Sequence, residues 1–298
     1  MGDTLTYLPH SFDAIRPFPR KSLFFRPGCG QALPQDNLPP PFSLAVQRLQ
    51  QRLFHPREKL TPRDLKLRLH EFKEKDGTLL LSLGLTTFYD YLDQEKMTAT
   101  EEGRKQLLSL QHRATQRFHD LGAYLARPLA VLAVILTSDR RLVVSLRAPT
   151  LPHGGTVHGI GGSCELHSVR PLGPGTPLHF SGLRIDPFLD MQKELEEEAN
   201  LHLKDLHRLH LVGLSAHPLT LETDLVFLAE TKKDSGHFSA GGNAALARDI
   251  WESQGFLVLK DAKAVLDLLE KGIYQKNKFE VLYSTETALR CALSYFAF

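Results

Sequence analysis

The chain is poor in cysteine, in net charge and in long apolar runs, and each shortage excludes something. Cysteine occurs three times, at Cys29, Cys164 and Cys291. An odd number at such wide spacing builds neither a disulfide framework nor a zinc knuckle, and it fits a reducing compartment. The formal net charge is +2, from 36 basic and 34 acidic residues. That balance gives no whole-chain attraction to nucleic acid or to an anionic membrane, so any grip on phosphate must be local. The longest apolar run, PLAVLAVILT at 128–137, is too short for a bilayer. It is rich in β-branched residues and reads as a buried strand. The opening MGDTLTYLPH has no basic flank followed by an apolar stretch, so no secretory signal is read there. It fits the loose M-G-x-x-x-T acylation pattern, which chance explains. The cytoplasm is the expected compartment.

What is present is a soluble globular chain of 298 residues, long enough for one large domain or two ordinary ones. Eight of its 18 prolines fall in the first 43 residues, which bars much helix or central strand and predicts an extended arm packed on the body. Residues 44–56 read as an amphipathic helix ended by Pro56. A turn at Asp76-Gly77 leads into a strand and then an aromatic loop, TTFYDYL, at 86–92. Residues 98–124 are helical, with Thr and Glu at the start as capping groups. From Pro128 the texture changes to a β-hairpin (129–147), a glycine-rich stretch (153–165), an acidic helix (186–199) and strands at 208–216, 223–231 and 256–259. Helices follow at 261–272 and near 284–296. Strands flanked by helices predict a mixed sheet covered on both faces. A boundary near residue 126 divides the chain into an N-terminal region, 1–125, and a second part, 126–298.

The segment DMQKELEEEANL at 190–201 asks for an explanation. At helical spacing Asp186, Asp190, Glu194, Glu197 and Glu198 share a stripe. Phe188, Leu189, Met191 and Leu195 suit a core, while Lys193 and Glu196 lie off the line. Like charges at i,i+4 cost about 0.2–0.5 kcal/mol per pair, and the helix dipole disfavours anions in the last turn. Cations must therefore answer the stripe: either lysines and arginines from elsewhere, or a divalent metal, for which carboxylates are hard oxygen ligands. A solvated charge run is the plainer alternative. Two neighbours favour the metal. Asn200 stands where a helix stops in the left-handed conformation, which glycine takes most readily and asparagine next. Upstream, Gly161-Gly162 offers backbone that can approach a ligand, with Glu165 close behind.

This combination resembles the Nudix hydrolase signature, G-x5-E-x7-R-E-U-x-E-E-x-G-U, where U is aliphatic. The second half maps without gaps. Lys193 stands for Arg, Glu194 for Glu, Leu195 for U, Glu197 and Glu198 for the paired Glu, Asn200 for Gly and Leu201 for U. Lysine keeps the charge of arginine but loses its planar fork. The first half departs: counting on from Gly162, the first Glu falls at Ser168 and the Arg at Thr176, whereas the match is Lys193. An insertion separates loop from helix. LLSLGLTTFYDYL (80–92), HDLGAYLARPLAVLAVILTSDRRLVVSLR (119–147), the G-G-x-x-E of Gly161 to Glu165 and the LVGLSA strand look like one branch of the family. That branch is similar to the animal enzyme that hydrolyses UDP-glucose and UDP-galactose, and the likeness covers roughly residues 78–260.

The resemblance implies an α-β-α sandwich around a mixed sheet (an α/β, or α+β, fold) with an N-terminal α/β extension. It also implies a magnesium-dependent hydrolase, with manganese as the alternative ion, of a small nucleoside diphosphate derivative. Glu194, Glu197 and Glu198 would hold the metal, completed by the backbone of Gly161 or Gly162. Glu197, Glu194 and Lys193 would form the catalytic group, with Glu197 the candidate base. Arg147, Glu165 and the aromatic stretch Phe88, Tyr89 and Asp90 are candidate substrate contacts, since a ring stacks on a base and an acid reads its edge. For Arg147 and Lys193 an ordinary ion pair, and for the aromatic stretch a core-facing hairpin end, stay open. No nucleic acid and no membrane is expected as partner. ADP-ribose, dinucleotides or CoA derivatives are alternative substrates, and a catalytically idle module that binds a nucleotide or a protein is the alternative function. Glu222 and Asp224 could add an outer acidic group from the next strand, with structural hydrogen bonding the plainer reading; the scattered histidines, the Ser163-Cys164 pair and the glycines of SAGGNAAL (239–246) read as structural.

Overall fold

A computed structural model describes residues 5–7, 23–27, 65–75, 78–151, 153–164 and 186–295. The expected helix at 44–56, the Asp76-Gly77 turn, Glu165 and most of the proline-rich arm lie outside the described residues. Two pieces of the arm are described, and both are edge strands, the sheet position that proline-rich sequence tolerates. β1 (Leu5–Tyr7) pairs with β9 (Leu206–Ala216) at one end of the large sheet. β2 (Leu23–Pro27) lies beside β4 (Thr78–Thr87), which also pairs with β3 (Leu65–Lys75) in a separate three-stranded sheet.

The large sheet runs β1-β9-β10-β5-β6-β11, where β5 is Leu129–Leu136, β6 Leu142–Arg147, β10 Thr223–Thr231 and β11 Ser253–Leu259. β10 and β5 are parallel and the other pairs antiparallel, so the sheet is mixed as expected. All eight residues of β5 are buried, because both faces of the strand are covered. On one face Leu129, Val131, Ala133 and Ile135 meet Phe188, Met191 and Leu195 of the acidic helix. Leu67, Leu69 and Leu81 of the small sheet enter the same cluster. On the other face Leu132, Val134 and Leu136 meet two C-terminal helices through Val265, Leu268, Ala288 and Leu289. Each such side chain contributes about 1.5–3 kcal/mol on burial. The result is an α-β-α sandwich.

Several expectations are corrected. The hairpin 129–147 is paired only at its tip, Ile135 with Val143 and Leu136 with Leu142. Below the tip β8 (Ile160–Ser163) takes its place against β5, and β7 (Val157–His158) pairs with β6. The aromatic stretch is a helix, α1 (Phe88–Thr98), and not a loop. Its cause is local: the Thr87 hydroxyl accepts the Asp90 N–H and caps the first turn. α2 (Glu101–Phe118) follows, stopping at His119 in the left-handed region, short of the expected end.

The acidic helix, α3 (Pro187–Ala199), starts with Asp186 accepting from Leu189 N–H and Pro187 in the first turn. It ends at Asn200 with φ 50° and ψ 41°. The Leu201 N–H reaches back to Leu195 O at 3.0 Å, closing the helix end. Leu189, expected in the core, is exposed, while Asp190 and Glu198 of the acidic stripe are buried. The stripe turns inward along the helix instead of facing water. Two helices complete the described chain, α4 (Ala262–Lys271) and α5 (Tyr283–Tyr295).

Candidate active site

The insertion of β8 brings the glycine pair to the acidic helix. Gly161 lies opposite Leu132 and Gly162 opposite Val131. The Glu194 carboxylate rests on Gly162, where an added Cβ would lie 2.5 Å from Oε1 and 2.6 Å from Cδ. One turn on, Glu198 is 6% exposed and its carboxylate accepts the Gly161 N–H. Burial holds the Glu198 carboxyl well above the usual carboxylate range, and the charges of Glu194 and Glu252 push the same way against Arg147 and the Gly161 N–H. Glu197 turns elsewhere. Its carboxylate pairs with Arg248, and its carbonyl accepts the Asp249 N–H at 2.7 Å.

Among the described residues no group of three or more His, Cys, Asp or Glu side chains is set to hold a metal ion. Glu194 and Glu198 nonetheless fit a divalent cation in charge and donor type: they are hard oxygen donors that repel one another beside backbone with no side chain in the way. Glu197 would have to leave Arg248 to join them.

The structure thus unites Glu194, Glu198, Gly161 and Gly162, with Arg147 at the end of β6 close enough to act on both Glu198 and Glu252. Lys193 is on α3 beside Glu194 and partly buried. Phe88 and Tyr89 are exposed on α1, and Asp90 is buried beneath them. Sequence reasoning missed Arg248, Asp249 and Glu252. They arrive from a short helical turn, Ile250–Glu252, and the residues before it, and nothing in the letters RDIWE marks them as neighbours of α3.

Other groups settle as structural. His202 pairs with Glu196 at 3.1 Å and His210 with Glu230 at 2.9 Å. Cys164 is fully buried, and burial pushes its thiol up, which disfavours the thiolate that a nucleophile needs. Glu222 and Asp224 both accept from the Tyr283 hydroxyl, at 3.2 and 3.1 Å.

The two glycines make separable demands. At Gly161 an added Cβ would overlap the Val131 carbonyl oxygen, which is fixed backbone of a central strand. At Gly162 it would meet the end of a flexible side chain. Gly161→Ala is therefore expected to lose about 1–3 kcal/mol of stability. Gly162→Ala should keep its melting temperature within the scatter of a surface change but lose roughly 10–100-fold in activity as Glu194 is displaced. Equal losses of stability in the two variants, measured by thermal unfolding, would contradict this division.

No family model matches the chain. Among curated proteins, the mouse (Mus musculus) uridine diphosphate glucose pyrophosphatase NUDT22 is 30% identical over 161 residues, which are 51% of this chain and 49% of that protein. The chain is similar to the Nudix hydrolases. It spans about half the length of the curated Nudix relative that it matches. Solved structures with a similar path include DR0079 from Deinococcus radiodurans (TM-score 0.36, 15% identity, 55% of this chain and 82% of that one). A NUDIX family hydrolase from Clostridium perfringens has TM-score 0.29 at 15% identity over 57% of this chain and 99% of its own. A bifunctional NMN adenylyltransferase/ADP ribose pyrophosphatase from Francisella tularensis, complexed with AMP and a Mn ion, has TM-score 0.34 at 10% identity over 70% and 53%.

Proposed function

We propose that the protein hydrolyses the diphosphate of a nucleotide sugar such as UDP-glucose or UDP-galactose, giving a nucleoside monophosphate and a sugar 1-phosphate, with magnesium or manganese. The observation that carries this reading is the seating of Glu194 on Gly162 with Glu198 on the Gly161 N–H. Two carboxylates driven together beside bare backbone favour a cation between them and a phosphate chain. A bound divalent cation would supply neutralisation of the diphosphate charge and a water of lowered pKa.

In this reading Glu194 and Glu198 hold the ion, and Glu197 joins when it releases Arg248. Arg147 and the freed Arg248 steady phosphate oxygens, Lys193 supports the glutamates, and Glu197 remains the candidate base, with Glu252 near enough to feel its charge. Phe88 and Tyr89 remain exposed rings for the far side of the substrate. Residues 126–298 act as the hydrolase domain and 1–125 as an accessory region. A second reading, an idle module that binds a nucleotide or a partner, draws support from the Glu197–Arg248 pair, which occupies a carboxylate that the chemistry needs.

The deciding experiment incubates the purified protein and magnesium with nucleotide sugars, ADP-ribose, dinucleotides and CoA, and measures the nucleoside monophosphate released. UMP from UDP-glucose is the expected result. Tight binding of one compound with turnover of none would establish the idle module instead.

A further inference from the structure

The residues that join Glu197 to Glu252 hold the chain's one tryptophan. Its neighbours are fixed on both sides. Before it, Arg248 pairs with Glu197 and Asp249 N–H binds the Glu197 carbonyl. After it, the Glu252 carbonyl accepts the Ala148 N–H at 2.8 Å, tying the turn to the segment that follows β6. The indole N–H of Trp251 donates to Asp249 Oδ1 at 3.3 Å, and Asp249 in turn lies 3.5 Å from Arg248. A ring thus held is nonetheless 59% exposed. Leaving an indole in water forgoes the burial that gives large aromatics their stabilising value, and here the ring stands one residue from Glu252, whose charge reaches Glu198.

We propose that Trp251 is the platform on which the substrate's nucleobase stacks. The inference rests on the reading that the acidic cluster takes the phosphates. The turn that carries the indole is bound to the acidic helix through Asp249 N–H and Arg248, so a nucleotide whose phosphates lie against that helix has this ring beside it for its base. Stacking on a π-face is tolerant of base identity, because every base has such a face. The indole N–H, the ring's one polar reader, is engaged with Asp249. Trp251 therefore supplies affinity without choosing the base, and the choice falls to other groups. Phe88 and Tyr89, the rings expected from the sequence to take the base, are exposed too, and their helix is tied through Tyr91 to Glu222.

Because the chain has a single tryptophan, its emission reports this ring alone. UMP and AMP, each with magnesium, are titrated into the wild-type protein while indole fluorescence is followed. Ribose 5-phosphate serves as the base-free control, and calorimetry establishes saturation. Both nucleotides are expected to quench saturably and ribose 5-phosphate to leave emission unchanged. Trp251→Ala should raise KM for the nucleotide sugar roughly 5- to 150-fold with kcat held, by a similar factor for uridine and adenosine compounds. Trp251→Phe should recover part of the loss at an unchanged melting temperature. Unchanged emission at saturation, quenching by ribose 5-phosphate alone to the same depth, or an unchanged KM in the alanine variant would each overturn the platform. Quenching without turnover keeps the platform and rejects hydrolysis, whereas turnover without quenching does the reverse. No binding of either nucleotide together with no turnover rejects both.

Discussion

Replacing Glu198 by glutamine is expected to abolish magnesium-dependent release of nucleoside monophosphate while leaving the fold as stable as before or more so. The two halves of this expectation have one cause. Glu198 is a buried carboxylate set against the charges of Glu194 and Glu252, a state that burial alone already disfavours. Glutamine keeps the shape and can still accept the Gly161 N–H; the fold gives up the attraction of Arg147, and the larger burial penalty and the repulsion from Glu194 and Glu252 disappear with it. The site loses an anionic oxygen donor, and activity should fall by more than the roughly 10–100-fold typical of losing an outer partner of a metal ligand. A second readout needs no turnover. Magnesium at about 100 times its Kd should stabilise the wild type by about 2.7 kcal/mol in thermal unfolding, and the variant should show no such gain. Wild-type turnover in the variant, or an equal magnesium-dependent rise in Tm, would remove Glu198 from the site. If hydrolysis is absent from both proteins but the magnesium effect separates them, the carboxylates bind a cation without the chemistry.

The acidic helix could be read because its information is local. A stripe of carboxylates, an apolar face and an asparagine stop all lie within one short segment, and Asn200 adopts the left-handed conformation that its position predicts. β5 is legible for a similar reason, since an unbroken apolar run with Val131, Val134 and Ile135 in it marks a strand buried on both faces without reference to its partners. The placement of β8 was not. The letters IGGS carry no alternation, and their pairing with Ala130–Ala133 is decided by the parallel β10 on the far side of β5 and by α3 above. The aromatic stretch reads as a loop from its rings, and what makes it a helix is the Thr87 hydroxyl capping Asp90 N–H, a bond that a lone threonine in sequence does not announce. Arg248, Asp249 and Glu252 were invisible because they reach α3 only through tertiary contacts, and a side chain's partner at that distance in sequence has no periodic signature. The glycine pair could be recognised as a place of close approach, but only the structure separates Gly161, pressed on backbone, from Gly162, pressed on a carboxylate.

Stability should fall as pH rises from about 4 to about 8, to an extent set by one buried acid pair. Glu222 in the β9–β10 turn and Asp224 in β10 meet over the Tyr283 hydroxyl, and Tyr91 of α1 also binds Glu222. Burial, and then the neighbouring Asp224 charge, push Glu222 up to about 8, while burial pushes Asp224 up to about 7 against the bonds from Tyr283 and Ser284. Both therefore bind protons more tightly folded than unfolded. Their contribution is fully present below the ordinary carboxylate range and is lost as pH passes through the raised values. A tenfold change in proton affinity is worth about 1.4 kcal/mol, so the loss amounts to several kcal/mol at most. Around the pair stand Glu95 with its partner His153, and His217, whose ring lies edge-on to Tyr283. Burial lowers the His217 pKa, which gives a slope of the opposite sign near neutrality and masks part of the effect in the wild type. The difference between wild type and Glu222→Gln isolates it. The new amide can donate to Asp224 and removes the second charge, so the variant should match the wild type near pH 4 and exceed it increasingly up to pH 9. Parallel stability-versus-pH curves for the two proteins across this window would show that ionising Glu222 costs the folded state nothing.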